Sequence, residues 1–145
     1  MHALKRIARA LKPRGTLIDI RPDRYSHPRQ ERPALPTSCW RSSRGDLAAG
    51  RLGKTAFNLH RHRAATRALR DAVRRGMFML EATETFPFRY HFRDLAIFES
   101  YLKVRWVSTI LPPRVRRRLS ALQGRAHRGK IVVVEPVRLT VLRKP

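Results

Sequence analysis

Apolar residues near the start of the chain recur first at the spacing of a helix and then at that of a strand. Leu4, Ile7 and Leu11 lie three and four residues apart, which predicts an α-helix with one apolar face. Residues 12–15 (KPRG) end that helix and turn the chain. Residues 16–20 (TLIDI) are short, apolar and rich in β-branched side chains, so we expect a covered strand there.

Proline, serine and glycine divide the following part of the chain into a loop and a hairpin. Residues 24–34 are rich in proline and charge, and we expect them to form a mobile loop. Residues 35–41 predict a short strand that Pro36 confines to the edge of a sheet. After a turn at residues 42–45, residues 46–52 predict the second strand of a hairpin.

Helical spacing returns after Thr55, a suitable N-cap, and stops at Gly76, a suitable residue to end a helix. The apolar stripe between them consists of Phe57, Ala64, Ala65, Ala68, Leu69, Ala72 and Val73. Residues 77–88 then alternate between apolar and polar side chains. This alternation predicts a long half-buried strand, which Pro87 ends.

Two further helices and a last strand complete the pattern. Asp94 can cap one helix, and Pro112 or Pro113 can be the first residue of the other. The apolar residues 130–134 predict a buried strand, which Pro136 interrupts. The whole order predicts an α/β or α+β fold in which helices cover a twisted sheet. A chain of 145 residues fits a single domain, over residues 1–145.

Charge is the most unusual property of the composition. The formal net charge of +23 predicts attraction to polyanions such as RNA and DNA. However, 27 of the 33 basic residues are arginines and they are spread along the chain, as a GC-rich coding sequence would produce without selection for binding. The densest cluster is the candidate nucleic-acid site, and the alternative is the solvated face of an amphipathic helix. It consists of Arg114, Arg116, Arg117 and Arg118.

Targeting signals and disulfides are not indicated by the sequence. No apolar run approaches the roughly 18 residues that a membrane span needs. The basic N-terminus lacks the continuous apolar core of a secretory signal. The single cysteine, Cys39, allows no internal disulfide and suits a reducing compartment. We therefore expect a cytoplasmic protein that does not contact membranes.

Several segments resemble class I S-adenosylmethionine-dependent methyltransferases. Residues 10–17 (ALKPRGTL) resemble the LKPGG segment that, in this family, joins a helix to the fifth strand of a Rossmann-like sheet. Residues 17–22 (LIDIRP) and 134–143 (VEPVRLTVLR) look like motifs of short methyltransferase-like proteins. The resemblance implies the C-terminal part of that fold, a partial Rossmann-like sheet with antiparallel last strands covered by helices.

The chain departs from the family where the cofactor binds. The family uses a glycine-rich loop followed by an acidic residue, and no GxGxG occurs in this sequence. We expect a single truncated methyltransferase-like domain that binds no cofactor in isolation. S-adenosylmethionine would bind only if a missing N-terminal half or a partner subunit supplied the site. Arg14 also replaces the second glycine of the turn, which requires Arg14 to keep a negative φ.

Asp19 and Asp23 are the best-placed catalytic candidates. They follow a strand at the end where open α/β sheets bind their ligands. Asp19 could act as a general base or contact a substrate. The alternatives are that Asp19 and Arg21 take part in a local ion pair, or that Asp19 faces solvent.

Two other patterns could indicate a binding site. Residues 48–55 (AAGRLGKT) match a relaxed phosphate-loop pattern, but the first glycine is absent, and a glycine-containing turn before a helix is the simpler interpretation. His60 and His62 would point to different sides of a helix, and no Cys/His cluster has zinc spacing, so we expect no metal site.

Together these patterns favour a methyltransferase-like domain remnant without catalysis of its own, which acts as a scaffold or within a larger assembly. The alternative is a basic RNA- or DNA-binding module. Whether the chain is an enzyme is left open, and methyl transfer is the expected reaction if it is one. An incomplete sheet would leave an edge and an apolar face uncovered, so we also expect self-association or a partner subunit.

Overall fold

The structure is a computed structural model that describes residues 2–24, 34–125 and 128–145. Within these ranges the chain forms four helices and seven strands. In chain order they are α1 (His2–Ala10), β1 (Thr16–Pro22), β2 (Thr37–Ser42), β3 (Gly45–Arg51), β4 (Gly53–Lys54), α2 (Ala56–Arg74), β5 (Met79–Phe92), α3 (Leu95–Val104), β6 (Thr109–Ile110), α4 (Pro113–Arg125) and β7 (Lys130–Arg143).

Local sequence signals set the starts of three helices, as predicted. The Asn58 N–H donates to the Thr55 hydroxyl (3.4 Å) at the start of α2. The Ile97 N–H donates to the Asp94 carboxylate (2.9 Å) at the start of α3. Pro113 is the first residue of α4, where its missing N–H removes no helical hydrogen bond.

The end of α2 also follows the prediction. Gly76 has a φ of 68°, which a residue with a Cβ adopts only with strain. Its N–H donates to the Val73 carbonyl (2.9 Å), and the Met77 N–H donates to the Ala72 carbonyl (3.0 Å). These are the two hydrogen bonds of a Schellman motif, which satisfy carbonyls that the last turn leaves free.

The last strand, β7, organises the sheet. Its residues 130–134 pair antiparallel with residues 37–41 of β2, and its residues 137–143 pair antiparallel with residues 16–22 of β1. β5 also pairs with β7, β2 and β3 form an antiparallel hairpin, and β4 pairs with β6 in a small separate sheet. The protein is therefore mixed α/β, with a mostly antiparallel sheet.

Contacts divide the chain into two compact units. The first is drawn from residues 1–34, 59–86 and 136–145, and the second from residues 35–58 and 87–135. Each is described separately below.

In the first unit, α1 and α2 contribute side chains to a small core. Ala72, Phe78 and Leu142 are buried, and Leu17 and Leu69 pack against them. The opposite face of β1 is open: Ile18 is 58% exposed and Ile20 is 61% exposed. The prediction that β1 is a covered strand is therefore right for one face and wrong for the other.

The second unit has the larger core, built from the β2–β3 hairpin, the start of β7, and α3 and α4. Trp40, Phe98, Leu119, Ile131 and Val133 are all buried in it. On α3 the buried residues are Leu95, Phe98 and Leu102, which lie at helical spacing on one face.

Three predictions about proline were wrong. Thr37 begins β2 directly after Pro36, and β2 has partners on both sides, so it is not an edge strand. β5 continues past Pro87 to Phe92, and most of its side chains are exposed rather than half-buried. β7 continues through Pro136, which lies between the stretches that pair with β2 and β1, so its missing N–H removes no bond from either ladder.

The predicted loop at residues 24–34 is described only at its two ends. Arg24 is buried, and its guanidinium donates to the Ala34 carbonyl (2.8 Å), while the Ala34 N–H donates to the Arg24 carbonyl (3.0 Å). The two ends of the predicted loop are thus tied together. Residues 25–33 lie outside the described residues.

Candidate functional site

Asp19 lies in the middle of β1, not at its end, because the strand continues to Pro22. Its carboxylate forms an ion pair with Arg21 Nε at 2.9 Å, and both side chains are largely buried. The two residues lie on the same face of the strand, where Asp19 is opposite Thr140 and Arg21 is opposite Arg138 on β7. The geometry thus includes the local ion pair that the sequence left as an alternative for Asp19.

Asp23 is buried, with 3% of its surface exposed. Arg138 Nη2 lies 2.8 Å from one carboxylate oxygen, and the Thr85 hydroxyl donates to the other at 3.0 Å. The Asp23 N–H donates to the Pro136 carbonyl at 2.7 Å, which extends the β1–β7 pairing by one bond. The Asp23 carboxylate is thus buried together with a counter-charge and a hydrogen-bond donor, as a buried charged group requires.

Arg21, Arg138, Asp19 and Asp23 therefore form one charged cluster, which we call the Arg–Asp cluster. Burial lowers the pKa of the Arg21 guanidinium from its usual value, the Asp19 carboxylate opposes that effect, and nearby Arg138 adds to it. Nη1 of Arg21 is buried and has no hydrogen-bond partner among the described residues. Oδ2 of Asp19 is likewise buried without a hydrogen-bond partner there, so the cluster contains one unsatisfied donor and one unsatisfied acceptor.

The structure places Asp19 and Asp23, the two candidates predicted from the sequence, in one charged cluster. It also shows two contacting residues that the sequence analysis did not predict. Arg138 and Thr85 are far away along the chain, and each contacts Asp23. Arg138 could have been noticed as a charged residue in an otherwise apolar stretch of β7, because such residues need a partner when covered. Thr85 carries no comparable signal.

The four arginines of the predicted nucleic-acid site differ in what they contact. Arg116 is paired with Glu99, with Nε 2.5 Å from the carboxylate, and this contact raises the Arg116 pKa. Arg114 and Arg118 lie one helical turn apart and, with Arg51 of β3, line a concavity of about 340 Å³.

Aromatic side chains that could stack on a nucleic-acid base contact one another in the second unit. Trp106 makes edge contacts with Tyr90 (centroids 4.4 Å apart) and Tyr101 (5.5 Å). Lys54 Nζ lies 4.9 Å from the centroid of the Trp106 ring. Trp106 therefore contributes to the packing of the second unit.

The phosphate-loop interpretation of residues 48–55 is wrong. Residues up to Arg51 belong to β3, and Gly53 and Lys54 form β4, so the backbone is extended where a phosphate loop would curl around its ligand. The Lys54 ammonium donates to the Thr109 hydroxyl at 2.5 Å across the β4–β6 pair. The segment is two short strands and a helix start.

Among the described residues, no three His, Cys, Asp or Glu side chains come close enough to hold a metal ion. Cys39 is a half-buried residue of β2. Burial raises the pKa of its thiol and Asp46 adds to that effect, which disfavours the nucleophilic thiolate. Neither observation suggests metal or thiol chemistry in the described ranges.

Comparison with protein-family models, with curated proteins and with solved structures found no match. In the part of the chain that the structure describes, no helix is both long and apolar enough to cross a membrane. The fold and the site together define a mixed α/β protein with a largely buried Arg–Asp cluster on the paired strands β1 and β7 and at the end of β1.

Proposed function

We propose that this chain is a methyltransferase-like domain without S-adenosylmethionine-dependent catalysis of its own, and that it acts as a scaffold or as part of a larger assembly. The observation that carries the proposal is the unit formed by α1, the 12–15 turn and β1, with β1 antiparallel to the last strand β7. A helix, a turn and a strand in this order, followed by an antiparallel last strand, are what the resemblance to the family implies.

Two features of the site support the non-catalytic part of the proposal. The carboxylates of Asp19 and Asp23 each already form an ion pair with a guanidinium, at 2.9 Å and 2.8 Å, so neither is an unpaired carboxylate offered to a substrate. The sequence also contains no GxGxG, so no glycine-rich loop of the chain would let its backbone approach the cofactor.

Calorimetric titration of the purified chain with S-adenosylmethionine tests the proposal. We expect no binding at micromolar concentration, and micromolar binding by the chain alone would overturn the non-catalytic part. Nuclear Overhauser contacts between the backbones of Ile18 and Val141 test the strand pairing on which the resemblance depends. We expect these contacts, and their absence in a folded sample would remove the fold argument.

Polyanion binding is a second candidate function, and the concavity of Arg51, Arg114 and Arg118 favours it. Three guanidiniums line it, and no carboxylate is among the lining residues that the structure describes. With a net charge of +23, the protein would also attract an anionic strand from a distance at low salt. A groove with these properties suits phosphate contacts that do not depend on base sequence.

Fluorescence anisotropy with a single-stranded oligonucleotide, measured over a range of salt concentrations, tests this second candidate. Replacing both Arg114 and Arg118 by Gln should reduce the salt-dependence slope by about 1.4, because each phosphate contact to a single strand contributes about 0.7. The matched control replaces Arg67 and Arg75, two exposed arginines elsewhere, by Gln. Equal loss in both double variants, or no binding at low salt, would exclude a site at the concavity.

A further inference from the structure

A cavity of about 360 Å³ lies in the first unit, between α2 and strands β1, β5 and β7. Its volume is at the lower end of the range for small-molecule pockets, about 300–1,000 Å³. All of the described residues that line it belong to one compact unit. None of them lines the concavity on α4, and the proposed function assigns no role to the cavity.

One part of the wall is apolar. Leu69 and Val73 of α2, Leu80 of β5 and Leu142 of β7 line it. Leu142 is fully buried, whereas Leu80 is about half exposed, so the apolar wall reaches from the core to the surface. Such a wall suits a hydrocarbon body, which gains free energy by leaving water.

The rest of the wall is cationic. Arg21 and Arg138 of the Arg–Asp cluster line the cavity, together with Arg70 and Arg74 of α2. Thr66, Thr83 and Thr140 add hydroxyl groups that can donate or accept a hydrogen bond.

The charges of the wall do not balance. Three guanidiniums are paired: Arg21 with Asp19, Arg138 with Asp23, and Arg74 with Asp71 at 2.8 Å. Arg70 makes no ion pair or side-chain hydrogen bond among the described residues, so one positive charge is left over. Nη1 of Arg21 and Oδ2 of Asp19 are both buried without a hydrogen-bond partner among the described residues, so the paired Arg21 and Asp19 keep one unsatisfied donor and one unsatisfied acceptor beside the cavity wall.

We propose that this cavity binds a small carboxylic acid with a hydrocarbon body, the carboxylate on Arg21 and Arg70 and the body against the leucines. A carboxylate supplies the single negative charge that the wall lacks, and it can accept two hydrogen bonds from a guanidinium fork. A phosphate monoester would bring a second negative charge close to the Asp19 and Asp23 carboxylates. The inference does not depend on the methyltransferase-like proposal.

Calorimetric titration with octanoate, octan-1-ol and octylammonium distinguishes the contribution of the carboxylate to binding from that of the hydrocarbon body. We expect octanoate to bind one per chain, and the alcohol and the amine to bind at least tenfold more weakly, because neither supplies an anion to the guanidiniums. Equal binding of octanoate and octan-1-ol would overturn the proposal. So would binding of many octanoates per chain, which would indicate general attraction to a protein of net charge +23.

Two pairs of variants locate the site. Arg70→Gln should weaken octanoate binding about tenfold, whereas Arg67→Gln, an equal charge change on the same helix outside the cavity lining, should leave it unchanged. Arg21→Gln is compared with Arg41→Gln, which removes a paired arginine in the second unit. Equal effects within both pairs would place the binding elsewhere. If Arg21→Gln does not fold, the Arg70 and Arg67 pair decides the question alone.

Discussion

Arg14 holds a backbone conformation that normally belongs to glycine. Its φ is 62°, and the Gly15 N–H donates to the Lys12 carbonyl at 2.9 Å. With Pro13 before it, this is the arrangement of a type II turn, which requires a positive φ at its third residue. The prediction that Arg14 keeps a negative φ was therefore wrong, because the type II turn requires a positive φ at this position whichever residue occupies it.

The left-handed conformation of Arg14 should lower the free energy of unfolding, and a substitution can test this. Arg14→Gly should raise the free energy of unfolding by about 0.5–1 kcal/mol, because the left-handed strain is relieved and the gain is only partly offset by the greater freedom of glycine in the unfolded chain. Urea unfolding followed by circular dichroism measures the change. Arg44→Gly is the control, because Arg44 lies in a turn without a positive φ and should gain nothing. A loss of stability in Arg14→Gly would contradict the assignment.

At the scale of the elements, two glycines differ only in backbone conformation. A Cβ at Gly76 or at Gly124 would meet no atom of the described residues within 4 Å, but Gly76 has a φ of 68° at the end of α2, whereas Gly124 lies within α4 without a positive φ. A difference in stability between alanine substitutions at the two positions would therefore come from backbone conformation and not from a steric clash.

The two alanine substitutions should have opposite signs. Gly76→Ala should lower the free energy of unfolding by about 1 kcal/mol, because alanine is strained in the left-handed region. Gly124→Ala should raise it by about 0.5 kcal/mol, because alanine is the better helix former. Parallel chemical unfolding experiments compare them, and changes of the same sign would show that φ is not what distinguishes the two sites.

The cap of α3 makes part of the stability depend on pH. The hydrogen bond from the Ile97 N–H, followed by the one from Arg93, holds the pKa of Asp94 below its ordinary value of 3.8. A carboxylate whose pKa is lower in the folded state contributes stability above its unfolded pKa and loses that contribution as pH falls through the folded pKa.

Asp94→Asn isolates this charge while keeping an acceptor at the cap. The variant should be less stable than the wild type at neutral pH, and the difference should shrink below about pH 3.8 and vanish once Asp94 of the wild type is protonated. Unfolding measured at a series of pH values checks this. Asp94→Ala is the matched control and should remain less stable throughout, because it lacks the acceptor. A difference for Asp94→Asn that does not change with pH would contradict the prediction.

At the scale of the whole molecule, two properties have opposite effects on self-association: exposed apolar side chains on β1 and a high net positive charge. Ile18 and Ile20 lie on the same face of β1, opposite Val141 and Leu139 of β7. Exposed apolar side chains on a strand favour association, whereas a net charge of +23 opposes it through repulsion.

Self-association should therefore increase with salt. Sedimentation or light scattering over a range of protein concentrations should detect it once salt screens the repulsion. Replacing Ile18 and Ile20 by Thr should reduce it while keeping a residue that favours strands. Val104 and Val107 are also exposed, and replacing them by Thr is the control. A wild type that is monomeric at high protein and salt concentrations would exclude the prediction.

Much of the local structure was predictable from the sequence alone. Asp94, Pro113 and Gly76 set helix ends by hydrogen bonds and dihedral preferences that involve only neighbouring residues, and a prediction from pattern succeeds there. The β2–β3 hairpin was predictable for the same reason, because its turn and both of its strands lie within one short segment.

Only the tertiary structure decided which strands β7 pairs with, and the candidate site depends on that pairing. Asp23 meets Arg138 and Thr85 because β1 and β7 run side by side, although these residues are far apart along the chain. Asp19 and Asp23 lie in one short segment of the sequence. Arg138 and Thr85 lie so far from it along the chain that no local pattern could have identified them as partners. Ile18 and Ile20 lie on the open face of β1, and Asp19 and Arg21 lie on the other face. The alternation of a strand divides its side chains between two faces, but it does not reveal which face will be covered.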